Sequence, residues 1–327
     1  MSKLDIIIPH YNESYDIVKP ILQMLEVQRK TEYGDYRVLF INDGEEHHLS
    51  ELDGYDPPYP FEERSIPHGG VSAVRNYGIE QSDAEWIMFC DCDDTFASVY
   101  SLHEILQGIG VQEGYDLLWC PYYFELPDIY DRHLVDEFEL TFLHGKIFRR
   151  EFLNEHKLRF NTELNYTEDT SFLHVAGMEL NPHCIGKIQP NMPLYVYVRR
   201  ERSVSNATSN IWRNSVGLFH GQIYLAEENF RRNRTDTYCS YVCRAMTDAY
   251  VALCRTDISE PRESLDREAW EFYRTRTEDF AKVPKEYVEK SIQRSILEFN
   301  ISKETVQELP DFGVWLDGWT KVHRTEE

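Results

Sequence analysis

An apolar stretch, Trp86-Ile87-Met88-Phe89-Cys90, runs directly into Asp91-Cys92-Asp93-Asp94. A short apolar run of this kind reads as a buried strand. Carboxylates crowded at its end would repel one another in a protein interior. They make sense if a divalent cation sits there with the phosphates it carries, and hard oxygen ligands suit Mg2+ or Mn2+. The alternative is an acidic turn after a strand.

The segments before this one set the fold class. Leu4 to Ile8 is a short β-branched strand punctuated by Pro9, and Ser14 is placed to cap a helix running to about Lys30, with Ile17, Ile21, Leu22 and Leu25 on one face. Tyr36 to Ile41 reads as a second strand ending at Asn42-Asp43-Gly44, and Arg64 to Ile66 as a short third. Gly69-Gly70 opens a helix that leads to the acidic strand. Strand–helix–strand repetition predicts an α/β fold, a mostly parallel sheet flanked by helices. Ligands collect beyond the carboxyl ends of such strands, and Pro9 to Glu13, Asn42 to Gly44 and Asp91 to Asp94 occupy those ends.

The middle of the chain is mixed. Tyr115 to Phe124 reads as a buried strand, Val135 to Leu143 as an edge strand, and Lys146 to His156 and Thr170 to Met178 as helices. Short strands are expected at Ile185 to Ile188 and Leu194 to Val198. Helical patterns then dominate: Trp212 to Arg232, Tyr238 to Cys254, Arg267 to Phe280 and Glu286 to Phe299, with a polar end, Lys321 to Glu327, expected to fray. These patterns divide the chain into a first domain, 1–208, and a mostly helical region, 209–327.

With 42% hydrophobic residues among 327, the chain can bury a substantial core. A formal net charge of -23 disfavours nucleic acid and anionic membrane surfaces as partners, unless a local basic groove overrules the mean. Seven cysteines in no disulfide or zinc-site spacing suggest reduced thiols and a cytoplasmic setting. The chain enters its first strand without a signal-like segment, and no run of about 18 apolar residues is present.

Four segments occur in order: Ile7-Ile8-Pro9-His10-Tyr11-Asn12-Glu13; Phe40-Ile41-Asn42-Asp43-Gly44; Gly70-Val71-Ser72-Ala73-Val74-Arg75-Asn76-Tyr77-Gly78; and Phe89-Cys90-Asp91-Cys92-Asp93-Asp94. Together they resemble the family 2 glycosyltransferases, which have the GT-A fold. Gly145-Lys146-Ile147-Phe148-Arg149-Arg150, Glu168-Asp169-Thr170-Ser171-Phe172 and Tyr197-Val198-Arg199-Arg200-Glu201-Arg202-Ser203-Val204-Ser205 continue the likeness, which covers about residues 3–205. One departure stands out: the family's usual D-D-G-S is Asn42-Asp43-Gly44-Glu45 here, so one acid is missing.

The resemblance implies transfer of a sugar from a nucleotide-diphosphate donor, most simply a UDP-sugar, to an acceptor hydroxyl with inversion. It gives Asp91 to the ribose or the metal and Asp93 to the metal, with Asp94 supporting or adding a ligand; Mn2+ is the family expectation, with Mg2+ the alternative. It makes Asp169 the general base, with Glu168 orienting the acceptor or serving as base instead. Thr167-Glu168-Asp169 is equally a helix-capping sequence. Pro9, Tyr11, Asn12, Glu13, Asp43, Gly70 and Arg75 line the donor side: Tyr11 lies along the base or packs on the sheet edge, Asp43 accepts from a base N–H or only shapes a turn, and Arg75 reaches the diphosphate or pairs with the acids. Lys146 and Arg199 are the further cations favoured for donor or acceptor contact, ahead of His144 and Arg202.

Two other classes compete. A sugar-phosphate nucleotidyltransferase needs a glycine-rich loop after the first strand, where this chain has Pro9-His10-Tyr11-Asn12-Glu13. A degenerate, non-catalytic binding module would lack the acidic cluster or Asp169, and both are present. The acceptor is open between glycan, protein and small molecule, and the C-terminal helices offer an acceptor wall or an oligomer contact.

Overall fold

The structure, a computed structural model, describes residues 2–111, 114–126, 131–199, 211–257, 260–299 and 301–326. Arg202 and the Ser203 to Ser205 motif, and the boundary expected near residue 208, lie outside the described residues. Backbone packing separates two units: Met1–Glu163 with Glu168–Glu201, and Leu164–Thr167 with Arg202–Glu327.

The first unit opens with strand β1 (Leu4–His10), helix α1 (Tyr15–Glu26), β2 (Tyr36–Asp43), β3 (Phe61–Ile66), α2 (Gly70–Gln81) and β4 (Trp86–Phe89). It continues through β5 (Thr95–Phe96), α3 (Ser101–Val111), β6 (Leu117–Trp119), β7 (Tyr122–Leu126) and β8 (Asp131–Val135). Strand β9 (Lys146–Arg149), α4 (Arg150–Glu155), α5 (Glu168–Glu179), β10 (Ile185–Lys187) and β11 (Tyr195–Val198) complete it. Among the described residues one sheet has the order β10-β6-β9-β4-β1-β2-β3, and a second has β5-β11-β7-β8. In the larger sheet β9 runs antiparallel to both its neighbours, and the other pairs are parallel.

Strand β1 is enclosed along its whole length because both faces are covered. Ile6 and Ile8 join a core with Val18, Ile21, Leu22 and Leu25 of α1, and with Leu102 and Ile105 of α3. Burying each such side chain contributes about 1.5–3 kcal/mol. On the opposite face Gly78 of α2 sits directly on Ile7; a Cβ there would lie 2.6 Å from Ile7 Cγ2. The glycine is what lets the helix approach the strand that closely.

Several local expectations are corrected. Lys146 to His156 is not one helix: Ile147 and Phe148 pair with Met88 and Ile87 on one side and Leu118 and Leu117 on the other, and the helix starts at Arg150. A central place in the sheet overrides local helical preference. Tyr115 to Phe124 is two strands in different sheets, broken at Cys120-Pro121, where proline has no N–H for the ladder. Val135 to Leu143 forms no strand beyond Val135. Glu139 instead accepts from the amides of Thr141 and Phe142, a local arrangement that replaces pairing. Ser14 stands at the start of α1 without making a side-chain cap, and α1 ends at Glu26 rather than near Lys30.

The second unit is helical: α6 (Ile211–Arg231), α7 (Thr235–Cys254), α8 (Glu263–Arg274), α9 (Thr277–Ala281), α10 (Lys285–Glu298), α11 (Lys303–Glu308) and α12 (Phe312–Glu326). Arg267 to Phe280 is thus split between α8 and α9. The chain end expected to fray is helical to Glu326, because Trp319 donates to Asp266 and His323 pairs with Asp266 and stacks on Trp270. Buried Asp248 of α7 is held by Arg294 and Ser295 of α10. All seven cysteines are free. Among the described residues no helix is long and apolar enough to cross a membrane.

Candidate active site

The parallel register aligns three strand ends. Ile7 lies opposite Leu39 on one side and Phe89 on the other, so Pro9, Asn42 and Asp91 emerge along one edge of the sheet. The chain order reverses between β1 and β4, the place where an α/β sheet opens a crevice.

Arg75 is the hub of this edge. It projects from α2, whose first residue, Gly70, has φ 82, a left-handed conformation that favours glycine. The Arg75 side chain is 3% exposed. Its Nη1 donates to Asp169 Oδ1 at 2.5 Å and to Glu168 Oε1 at 3.4 Å, and its Nη2 donates to Asp91 Oδ1 at 2.9 Å. Phe160 lies under the guanidinium, 5.4 Å from its ring centre. Asn76 pins Phe160 by bonding both its backbone N–H and C=O, and Phe160 stacks at 4.0 Å on Phe172 of α5. The helix bearing Glu168 and Asp169 is therefore held to the arginine by both charge and packing. Thr167, just before them, has φ 67, a strained value for a β-branched residue.

One guanidinium serves three carboxylates here, and it cannot neutralise all of them. Burial pushes the Asp169 carboxyl up to about 8; Arg75 pulls it down, while Glu168 and Asp91 add to the rise. A group poised near 8 suits proton abstraction from a hydroxyl at neutral to mildly alkaline pH.

Beyond the strand end, Asp94 is fully buried. Its Oδ2 accepts from Tyr195 Oη at 2.6 Å and its Oδ1 from the Val198 amide at 2.9 Å. His144 Nδ1 lies 3.6 Å from Asp94 Oδ2. Burial lowers His144 to about 4, so the ring is neutral. Asp91 is one-third exposed, and Asp93 is half-buried in the turn between them. Carboxylate oxygens of this kind are a donor set that fits a hard divalent cation.

On the β2 side, Asp43 accepts from the amides of Gly69 at 2.7 Å and Gly70 at 2.9 Å, and pairs with His68 at 2.9 Å. The single acid of the altered motif thus fastens the loop that opens α2. Tyr11, 40% exposed, lies against His47 and His68, with ring centres 4.2 and 4.9 Å away. Glu13 accepts from the Tyr11 amide, and buried His10 bridges Asn42 and the Glu13 carbonyl. Pro9 is enclosed in β1, and Asn12 is exposed in the loop that follows.

Two of the expected cations differ in exposure. Lys146 is buried with its ammonium on Glu139 and on the Phe142 carbonyl, each at 2.5 Å. Arg199 is exposed at the end of β11. Conversely, Tyr195, Phe160 and His47 join the site without a motif to signal them. The spacing of Tyr195 and Tyr197, two apart in a short strand, puts both on one face, and both stack on His144.

The model of Glycosyl transferase family 2 matches residues 5–173, just over half of the chain. The chain belongs to this family. As a family 2 glycosyltransferase it has the GT-A architecture expected of it, and the helical region follows. TarP of Staphylococcus aureus, a poly(ribitol-phosphate) beta-N-acetylglucosaminyltransferase, is 25% identical over 68% of this chain and 73% of its own length. A poly(ribitol-phosphate) beta-glucosyltransferase from Bacillus spizizenii is 29% identical over 52% of this chain, which spans only 28% of that relative's length. The structure of S. aureus TarS 1-349 in complex with UDP-GlcNAc superposes with a TM-score of 0.55 at 17% identity, covering 94% of this chain and 82% of that one. That likeness concerns the fold.

Proposed function

We propose that this family 2 glycosyltransferase is metal-dependent and inverting, and that it moves a hexose or N-acetylhexosamine from a UDP-sugar to a glycan hydroxyl. The chief support is the Arg75 cluster, which places Asp169 and Glu168 beside the acidic strand end at Asp91. In this reading Tyr11, Asn12, Glu13, Asp43 and Gly70 form the nucleotide side, with Pro9 setting the strand exit. A divalent cation, Mn2+ or Mg2+, held by Asp91, Asp93 and Asp94 would offset the charge of the departing nucleoside diphosphate. Asp169 takes the proton of the incoming hydroxyl, and Glu168 orients the acceptor. A base on the face opposite the leaving group gives a single displacement and inversion. Residues 1–208 carry this chemistry, and Arg199 borders the acceptor path.

The donor class and the acceptor class rest on the named activities of the relatives, which transfer glucose or N-acetylglucosamine to poly(ribitol-phosphate). A thermal-shift screen of nucleotide-sugars with and without Mn2+ tests the proposal. Stabilisation by a UDP-sugar that requires Mn2+ is expected. No stabilisation by any nucleotide in either condition refutes it.

A further inference from the structure

Strand β9 enters the sheet antiparallel to β4, with Arg149 opposite Trp86, Phe148 opposite Ile87 and Ile147 opposite Met88. A turn at His144-Gly145 leads into this strand and leaves the imidazole beside Asp94 and Asp91. The turn that delivers it is fixed: Gly145 has φ 67, and a Cβ there would lie 2.5 Å from the Cys120 carbonyl oxygen. The imidazole is clamped in a stack, nearly parallel to Tyr197 at 4.3 Å and to Phe142 at 5.7 Å.

Its Nδ1 stands 3.6 Å from Asp94 Oδ2. That is too far for a direct hydrogen bond and close to the spacing of two ligands on one ion. Ligands about 2.1 Å from an octahedral cation lie roughly 3 Å apart when adjacent and about 4.2 Å apart when opposite. Ligand atoms of Asp91, Asp94 and His144 all fall within 4.8 Å of one another. The hydrogen bonds from Tyr195 and Val198 occupy one lone pair on each Asp94 oxygen and leave another for a cation.

We propose that His144 Nδ1 is a further protein ligand, beside the carboxylates, of the cation held at the Asp91 to Asp94 turn, and that this nitrogen makes the site prefer Mn2+ to Mg2+. The assignment rests on the metal-dependent reading above. Magnesium takes oxygen ligands, whereas imidazole is a better ligand for first-row transition metals. The choice between the two ions, which the carboxylates alone leave open, then falls to the histidine.

Pulsed electron paramagnetic resonance on the full chain with Mn2+ and UDP tests this. A directly bound imidazole gives electron spin-echo modulation from 14N. The modulation is expected in the wild type, lost in His144→Gln and His144→Phe, and retained in His68→Gln. His144→Phe keeps an aromatic ring in the stack, so it serves where His144→Gln does not fold. Titration should show Mn2+ affinity falling about ten-fold or more in these variants, with Mg2+ affinity changed less. Mn2+ bound to the wild type without 14N modulation overturns the assignment alone, as does modulation that persists in a folded His144 variant. Absence of any Mn2+ binding with UDP present overturns the metal-dependent reading as well.

Discussion

Asp169→Asn has two effects of opposite sign. The carboxyl has a folded-state value of about 8 against an ordinary value of 3.8. Between about pH 4 and 8 the folded chain keeps a proton on Asp169 that the unfolded chain has released. This group's contribution to stability therefore falls as pH rises through that window and levels off above it. At about 1.4 kcal/mol per unit, the ceiling is roughly 5–6 kcal/mol. The side chain is 22% exposed and shares Arg75 with two other carboxylates, so solvent screening reduces the measurable effect to about 1–3 kcal/mol. Asparagine has no proton to lose. The variant should accordingly gain stability over the wild type as pH rises from 5 to 8.5, measured by urea unfolding at a constant m-value. Transfer should fall by about 100- to 10,000-fold, the usual contribution of a general base, while UDP-sugar affinity holds. A stability difference that stays flat with pH, or runs the other way, would show Asp169 to be an ordinary ionised partner of Arg75. Transfer near the wild-type rate would remove it as the base.

Arg75→Gln leaves Asp91, Glu168 and Asp169 without their shared cation; a loss of about 3–5 kcal/mol is expected at pH 8.5 and less at pH 6, where a carboxyl can take up a proton instead. Asp43→Ala frees the Gly69 and Gly70 amides, so UDP affinity by calorimetry should weaken about ten-fold or more (roughly 1–3 kcal/mol); an unchanged affinity would detach that loop from the nucleotide pocket. Gly78→Ala forces a methyl against Ile7 and should cost about 1–3 kcal/mol in thermal or urea unfolding, with Ile7→Val restoring part of it. Lys146→Met takes the ammonium from Glu139, which keeps the Thr141 and Phe142 amides, and should lower stability while UDP affinity stays within about three-fold, since the ammonium is already committed to Glu139 and Phe142.

What the sequence alone determined is local or strictly ordered. Strands such as Leu4 to Ile8 and Trp86 to Cys90 announce themselves by apolar runs closed by turn residues, and the parallel order follows from helices between them. The acidic strand end, Arg75 on its glycine-opened helix and the Glu168-Asp169 pair were all legible as motifs, because each is a short constellation of neighbours. What the tertiary structure decided depends on pairing between distant segments. Lys146 to Arg149 became a strand because the gap between β4 and β6 is an enclosed, hydrogen-bonding slot that a helix cannot fill, and no local propensity encodes that slot. The turn that leads into this strand brings His144 to Asp94, and packing swings Phe160 and Tyr195 in beside Arg75 and Asp94. The same is true of charge: three carboxylates and one arginine are unremarkable along the chain, and only their convergence makes one of them hold a proton near neutral pH.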